Sequence, residues 1–131
     1  SSAGGCESKL TGEKKSVEPW VISKVQEGMR MAVVNGTLTD EFENVNISVA
    51  GKTGTAEYCD KYANEKNLCI PGNWPTHAWT TAYAPYEDPE IAVVAFVYNG
   101  GEGASVAGPI VRQLLEAYFE IKAGDIAAQN P

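Results

Sequence analysis

The sequence predicts an α+β fold in which antiparallel sheet strands are flanked by helices. Apolar residues recur at helical spacing near both ends of the chain, and between them lie two runs rich in β-branched and aromatic residues. The turn joining those two runs is short, and a parallel pair would need a crossover of about a dozen residues or more. The strands must therefore be antiparallel.

Residues 1–15 are small, polar and glycine-containing, with no period of 2 or 3.6, and read as a linker or disordered N-terminal segment. From Ser16 the pattern changes. Val17, Val21, Val25, Met29, Ala32 and Val33 mark one helical stripe, with Ser16 placed to cap, Pro19 in the first turn and Asn35-Gly36 as a left-handed stop. Val45, Ile47 and Val49 alternate with Asn46 and Ser48, the period of a strand with one buried face, which runs into Gly51-Lys52-Thr53-Gly54-Thr55. Residues 58–75 form a polar insertion carrying Cys59, Cys69, Pro71-Gly72 and Trp74; a loop this long is more often functional or cross-linked than idle. His77 to Ala84 and Ile91 to Tyr98 are the two strands of the hairpin, and the continuous apolar run of the second is typical of burial on both faces. Pro85-Tyr86-Glu87-Asp88-Pro89 between them is turn chemistry. After Asn99-Gly100-Gly101-Glu102-Gly103, Val106, Ile110, Leu114 and Tyr118 form one helical row and Ala107, Val111, Leu115 and Phe119 the next. Pro109 is tolerated only in a first turn, so this helix is expected to start near Ser105, with residues 123–131 as a tail.

The chain has 131 residues, 44% hydrophobic and 21% charged, with 10 basic against 17 acidic side chains and a net charge of −7. That composition excludes collagen, coiled coil and wholesale disorder. The acidic balance, with no cluster of Lys and Arg, argues against nucleic acid as a partner. The longest apolar run, Ile91 to Tyr98, is far short of the roughly 20 residues a membrane helix requires. Residues 1–5 also lack the charged and apolar regions of a signal peptide, so any anchor is expected outside this chain. No cofactor is expected.

The Lys52-Thr53-Gly54-Thr55 run carries the chemistry. On a strand, Thr53 and Thr55 share one face while Lys52 and Gly54 share the other. Two hydroxyls about 7 Å apart suit the two oxygens of a carboxylate. The Lys52 ammonium adds local positive charge to an acidic protein. Gly54 leaves room for another backbone, so an edge strand of this kind suits an extended peptide ending in a carboxylate. A nucleotide phosphate loop does not fit, because it needs Gly six residues before its Lys and that position is Asn46.

Five separate segments, in order, carry a family resemblance: Gly28-Met29 with Val33-Val34 and Gly36-Thr37; Gly51 through Glu57; His77-Ala78-Trp79 through Tyr83-Ala84-Pro85; Glu90 through Gly103; and Ala107-Gly108-Pro109-Ile110-Val111. Over about residues 16–122 the chain resembles the C-terminal part of the transpeptidase domain of class B penicillin-binding proteins, the elongation-type peptidoglycan synthases. The resemblance implies a penicillin-binding/β-lactamase-like domain in which a Ser is acylated by the D-Ala-D-Ala end of a stem peptide. An amine of a neighbouring stem then deacylates it, cross-linking the cell wall. It further implies that Thr53 and Thr55 hold the carboxylate of substrate or β-lactam antibiotic and that Lys52 supplies positive potential. The backbone N–H of Thr55 would form half of an oxyanion hole. The implied location is the extracytoplasmic face of the bacterial cytoplasmic membrane, with an N-terminal anchor not in this chain.

Of the family's three signatures, S-x-x-K, S-x-N and K-T-G, only Lys52-Thr53-Gly54 is present. No Ser of the chain has Lys three residues later or Asn two residues later, and Tyr62-Ala63-Asn64 has a variant form of the second motif but follows Lys52, in the wrong order. No catalytic residue is therefore assigned, and the isolated chain is expected to be inactive, a fragment with possible self-association into a homodimer where the remainder of the transpeptidase domain would pack. A non-catalytic penicillin-recognising sensor, or a peptide- or protein-binding module, is the alternative that the missing motifs also fit.

An extracytoplasmic location would favour a Cys59–Cys69 disulfide. A metal site of Cys59, Asp60, Cys69 and His77 matches no compact zinc spacing, and two unpaired thiols are the remaining option. His77 reads as a packing or hydrogen-bonding residue, and Trp74 and Trp79 as core or loop-anchoring aromatics.

Overall fold

The structure, a computed structural model, describes residues 17–129. The expected N-terminal linker, Cys6 and the proposed cap Ser16 lie outside them. The described order is α1 (Pro19–Asn35), β1 (Ala50–Glu57), α2 (Lys61–Glu65), β2 (Thr76–Ala84), β3 (Ile91–Val97), a π-helical turn (Gly103–Ala107) and α3 (Gly108–Gln129). The strands form one antiparallel sheet in the order β1-β2-β3.

Alternation along β2 sorts the sheet into two faces. Ala78, Thr80, Ala82 and Ala84 are buried on the inner face, together with Ala95 of β3. These small side chains let α3 and the π-helical turn pack closely, with Ala107, Val111 and Leu115 completing the core against Leu38, Phe42 and Val49. The other face carries Trp79 paired with Phe96 and Thr81 paired with Val94.

Several expectations are corrected. Residues 45–49 alternate as anticipated but form no strand, and two of their backbone acceptors are engaged outside any ladder. The Val49 carbonyl accepts from Arg30 Nη1 at 2.6 Å and the Ser48 carbonyl from the Tyr86 N–H at 2.8 Å. The strand is instead the Gly-Lys-Thr-Gly-Thr run itself. α1 is preceded by Glu18 as its N-cap, without a side-chain capping bond. Gly36 ends α1 in an extended conformation (φ −141°) rather than a left-handed one. Glycine is required there by proximity, since a Cβ would lie 2.8 Å from the Ala32 Cα.

β3 is not buried on both faces. It is an edge of the described sheet, with Val94 60% and Phe96 47% exposed. Val17 and Val25 of the expected apolar stripe are likewise exposed, as are Ile110 and Leu114 of α3. α3 also continues past residue 122 to Gln129, so most of the expected tail is helix; the segment is rich in Ala, and its one Gly, Gly124, meets no neighbouring atom. The second helical unit begins at Gly103 through the π-helical turn, and Pro109 does fall in the first turn of α3.

The insertion after β1 is ordered by short-range bonds. Asp60 caps α2 by accepting from the Ala63 N–H at 2.7 Å, and the Tyr58 N–H donates to the Pro75 carbonyl at 3.1 Å, closing the base of the loop. Cys59 and Cys69 are joined by a disulfide, with Cα atoms 5.8 Å apart. Both sulfurs are thereby committed to each other, so the four-residue metal set has no thiolates to offer.

Candidate functional site

Lys52, Thr53, Gly54 and Thr55 lie together on β1, which pairs only with β2 among the described residues and so presents a free edge. The register places Thr53 opposite Thr80 and Thr55 opposite Ala78, on the inner face. Lys52 opposes Thr81 and Gly54 opposes Trp79, on the outer face. The alternation read from the sequence is thus reproduced. The Lys52 ammonium curls back over the strand and donates to the Thr53 carbonyl.

Each Thr hydroxyl meets one partner from outside the strand. Thr53 Oγ1 lies 3.2 Å from Thr37 Oγ1, which stands in the turn after α1. Thr55 Oγ1 accepts from the Gly103 N–H at 3.4 Å, at the start of the π-helical turn. The Gly103 carbonyl in turn accepts from the buried Thr80 Oγ1 at 2.8 Å. Thr37, Thr80 and Gly103 had no assigned link to the site in the sequence; the only local signal was that two of them sit in glycine-containing turns.

On the outer face, beyond Gly54, a cavity of about 510 Å³ is walled by Ala56, Tyr58, His77, Trp79, Phe96 and Tyr98. The Trp79 and Phe96 rings are 4.4 Å apart and the His77 and Tyr98 rings 4.7 Å apart. His77 is buried and its Nδ1 accepts from the Asn99 N–H at 2.9 Å, a packing and hydrogen-bonding role. Trp79 and Trp74 are 41% and 46% exposed, so neither is a core aromatic in the described structure. Desolvation, and then a hydrogen bond to the Asp60 carboxylate, hold the Tyr98 phenol above its ordinary range. Among the described residues no cluster of three or more His, Cys, Asp or Glu is arranged to hold a metal, and no helix is long and apolar enough to cross a membrane.

A Lys-Thr-Gly-Thr edge strand, backed by a hairpin and a long C-terminal helix, is the arrangement that the family resemblance implies for the C-terminal part of a transpeptidase domain. The sequence profile of the penicillin binding protein transpeptidase domain matches residues 8–116, and the chain belongs to this family. It is 36% identical over 98 residues to the peptidoglycan D,D-transpeptidase MrdA of Haemophilus influenzae, covering 73% of this chain and 15% of that protein. It is 32% identical over 117 residues to the peptidoglycan D,D-transpeptidase PbpA of Mycobacterium tuberculosis, covering 82% of this chain and 21% of that one.

Among solved structures, Pseudomonas aeruginosa PBP2 in complex with WCK 5153 superposes with a TM-score of 0.61 at 30% identity, covering 77% of this chain and 19% of that one. Penicillin-binding protein A of M. tuberculosis, as a ceftriaxone acyl-enzyme complex, superposes with a TM-score of 0.58 at 33% identity, over 77% of this chain and 21% of that one. The α+β assignment agrees with these neighbours. The chain thus corresponds to only a small part of the length of these relatives.

Proposed function

We propose that this chain is the substrate-binding wall of a serine-type peptidoglycan D,D-transpeptidase. Thr53 and Thr55 donate their hydroxyl protons to the terminal carboxylate of a D-Ala-D-Ala stem peptide or to the carboxylate of a β-lactam. Lys52 supplies positive potential beside it, and the Thr55 backbone N–H contributes to the oxyanion hole. The Ser nucleophile and its Lys base come from a part of the protein outside these 131 residues. Ser attack on the penultimate D-Ala carbonyl releases the last D-Ala, and attack by an amine of a neighbouring stem releases the Ser and leaves a cross-link. The working location is the extracytoplasmic face of the cytoplasmic membrane, held by an anchor also outside this chain.

The observation that supports this reading best is the Lys-Thr-Gly-Thr run on an open sheet edge, with both Thr hydroxyls on one face and each contacting a partner outside the strand. The experiment is acylation of the full-length protein containing this chain by a fluorescent penicillin. Replacing both Thr53 and Thr55 with Val should slow acylation by about tenfold or more, as expected for two lost hydrogen bonds to a charged group. Unchanged acylation by the folded double variant would overturn the assignment. A full-length protein that binds penicillin without forming a covalent adduct would favour a sensor.

A further inference from the structure

A Thr hydroxyl has one proton to donate and two lone pairs that accept. If Thr53 spends its proton on a ligand carboxylate, it can only accept from any second partner. The side-chain partner it has is Thr37, with the two oxygens 3.2 Å apart. Thr37 is then the donor. A hydroxyl whose oxygen accepts a hydrogen bond is also a stronger donor, because the bonds polarise one another.

The turn that carries Thr37 is held on both sides. Gly36 is pressed against Ala32, and its N–H donates to Thr39 Oγ1 at 2.8 Å while Thr39 Oγ1 donates back to the Gly36 carbonyl at 3.0 Å. Leu38 is fully buried, and its N–H donates to the Ala32 carbonyl at 2.9 Å. The Leu38 side chain also packs beneath Gly51, where a Cβ would come within 2.8 Å of it. So Thr37 sits between two anchored residues and faces the start of the Lys-Thr-Gly-Thr strand from a fixed position.

We propose that Thr37 is a positioning residue for carboxylate recognition: its hydroxyl donates to Thr53 Oγ1 and so directs the Thr53 proton toward the bound carboxylate. This rests on Thr53 being a carboxylate ligand, as proposed above. The alternative is an incidental contact between the exposed Thr37 and the half-buried Thr53, and a double-mutant cycle separates the two.

The test measures the second-order rate of acylation by benzylpenicillin in the full-length protein containing this chain, with thermal melts alongside. Thr37→Val should slow acylation about three- to tenfold, the range expected of one hydrogen bond. Thr37→Ser should restore the rate to within about twofold, because it keeps the donor. Thr37→Val should add nothing once Thr53 is already Val. Thr37→Ala serves as the deletion if the Val variant does not fold. The inference is overturned if Thr53→Val slows acylation while Thr37→Val has no effect, or has the same effect in both backgrounds. If Thr53→Val leaves acylation unchanged, the reading of Thr53 as a ligand fails first and the role of Thr37 fails with it.

Discussion

Gly103 presses directly onto Gly54: a Cβ on Gly103 would lie 2.5 Å from the Gly54 carbonyl oxygen, 3.0 Å from the Gly54 nitrogen and 2.4 Å from the Trp79 carbonyl oxygen. Only a residue without a side chain lets the π-helical turn descend onto β1 and β2. From that position its N–H reaches Thr55 Oγ1 and its carbonyl reaches Thr80 Oγ1. The placement of Thr55 is therefore tied to a turn 48 residues away in sequence.

Gly103→Ala should destabilise the protein by about 1–3 kcal/mol through overpacking, and should shift the Thr55 amide resonance. Thr80→Val keeps the side-chain volume but leaves the buried Gly103 carbonyl without that donor, and should cost about 1–3 kcal/mol. Urea denaturation with amide spectra checks both. Wild-type midpoints with an unmoved Thr55 signal would contradict the coupling.

The Cys59–Cys69 disulfide closes a loop with a sequence separation of 10. In the chain-entropy account a loop of this length contributes about 2–3 kcal/mol. Thermal melts with and without reductant should show a lower midpoint on reduction, and the double variant Cys59→Ser/Cys69→Ser should melt at the lower temperature whatever the reductant. Alkylation of both cysteines in the unreduced protein would contradict the pairing.

A hydrogen bond from Ser48 Oγ, the largest cause, holds the Glu87 carboxyl below its ordinary range. A depressed carboxyl pKa stabilises the fold above the unfolded value, and that contribution is lost as pH falls through the folded value. Ser48→Ala should therefore lower the melting temperature at neutral pH, and the difference from wild type should shrink as the pH drops below the carboxylate range. A difference that is constant with pH would assign the loss to the Tyr86 N–H contact with the same hydroxyl, which is 3.1 Å long.

Trp79, Val94 and Phe96 are uncovered on the outer sheet face, and Ile110 and Leu114 are uncovered on α3, which packs against the inner face; together they leave apolar surface that a monomer of this size seldom shows. The isolated chain should associate at micromolar concentration, and Val94→Lys with Phe96→Lys should return it to monomer in light scattering. A wild-type chain that stays monomeric and melts cooperatively would count against this.

Periodicity revealed both long helices and the hairpin, because those signals are local. The Lys-Thr-Gly-Thr motif was legible for the same reason: its four residues are contiguous, and their faces follow from strand alternation alone. What local pattern could not reveal was where distant partners intervene. Val45, Ile47 and Val49 alternate like a strand, yet the segment joins no ladder, and Arg30 and Tyr86 take the Val49 and Ser48 carbonyls. Gly36 looks like a left-handed stop, and its role is instead close approach to Ala32. The contacts of Thr53 with Thr37 and of Thr55 with Gly103 bridge 16 and 48 residues, so no spacing rule contains them. The apolar run of β3 has the composition of a doubly buried strand, yet one of its faces has no covering element among the described residues.

In the proposed function these 131 residues carry the carboxylate-binding wall of the site and not its nucleophile. The direct measurement is covalent labelling by a fluorescent penicillin, read by denaturing gel and intact mass, on this chain and on the full-length protein that contains it. The account predicts no adduct on the chain and one adduct per molecule on the full-length protein, formed on a Ser outside these residues. A stoichiometric adduct on the chain itself would contradict it.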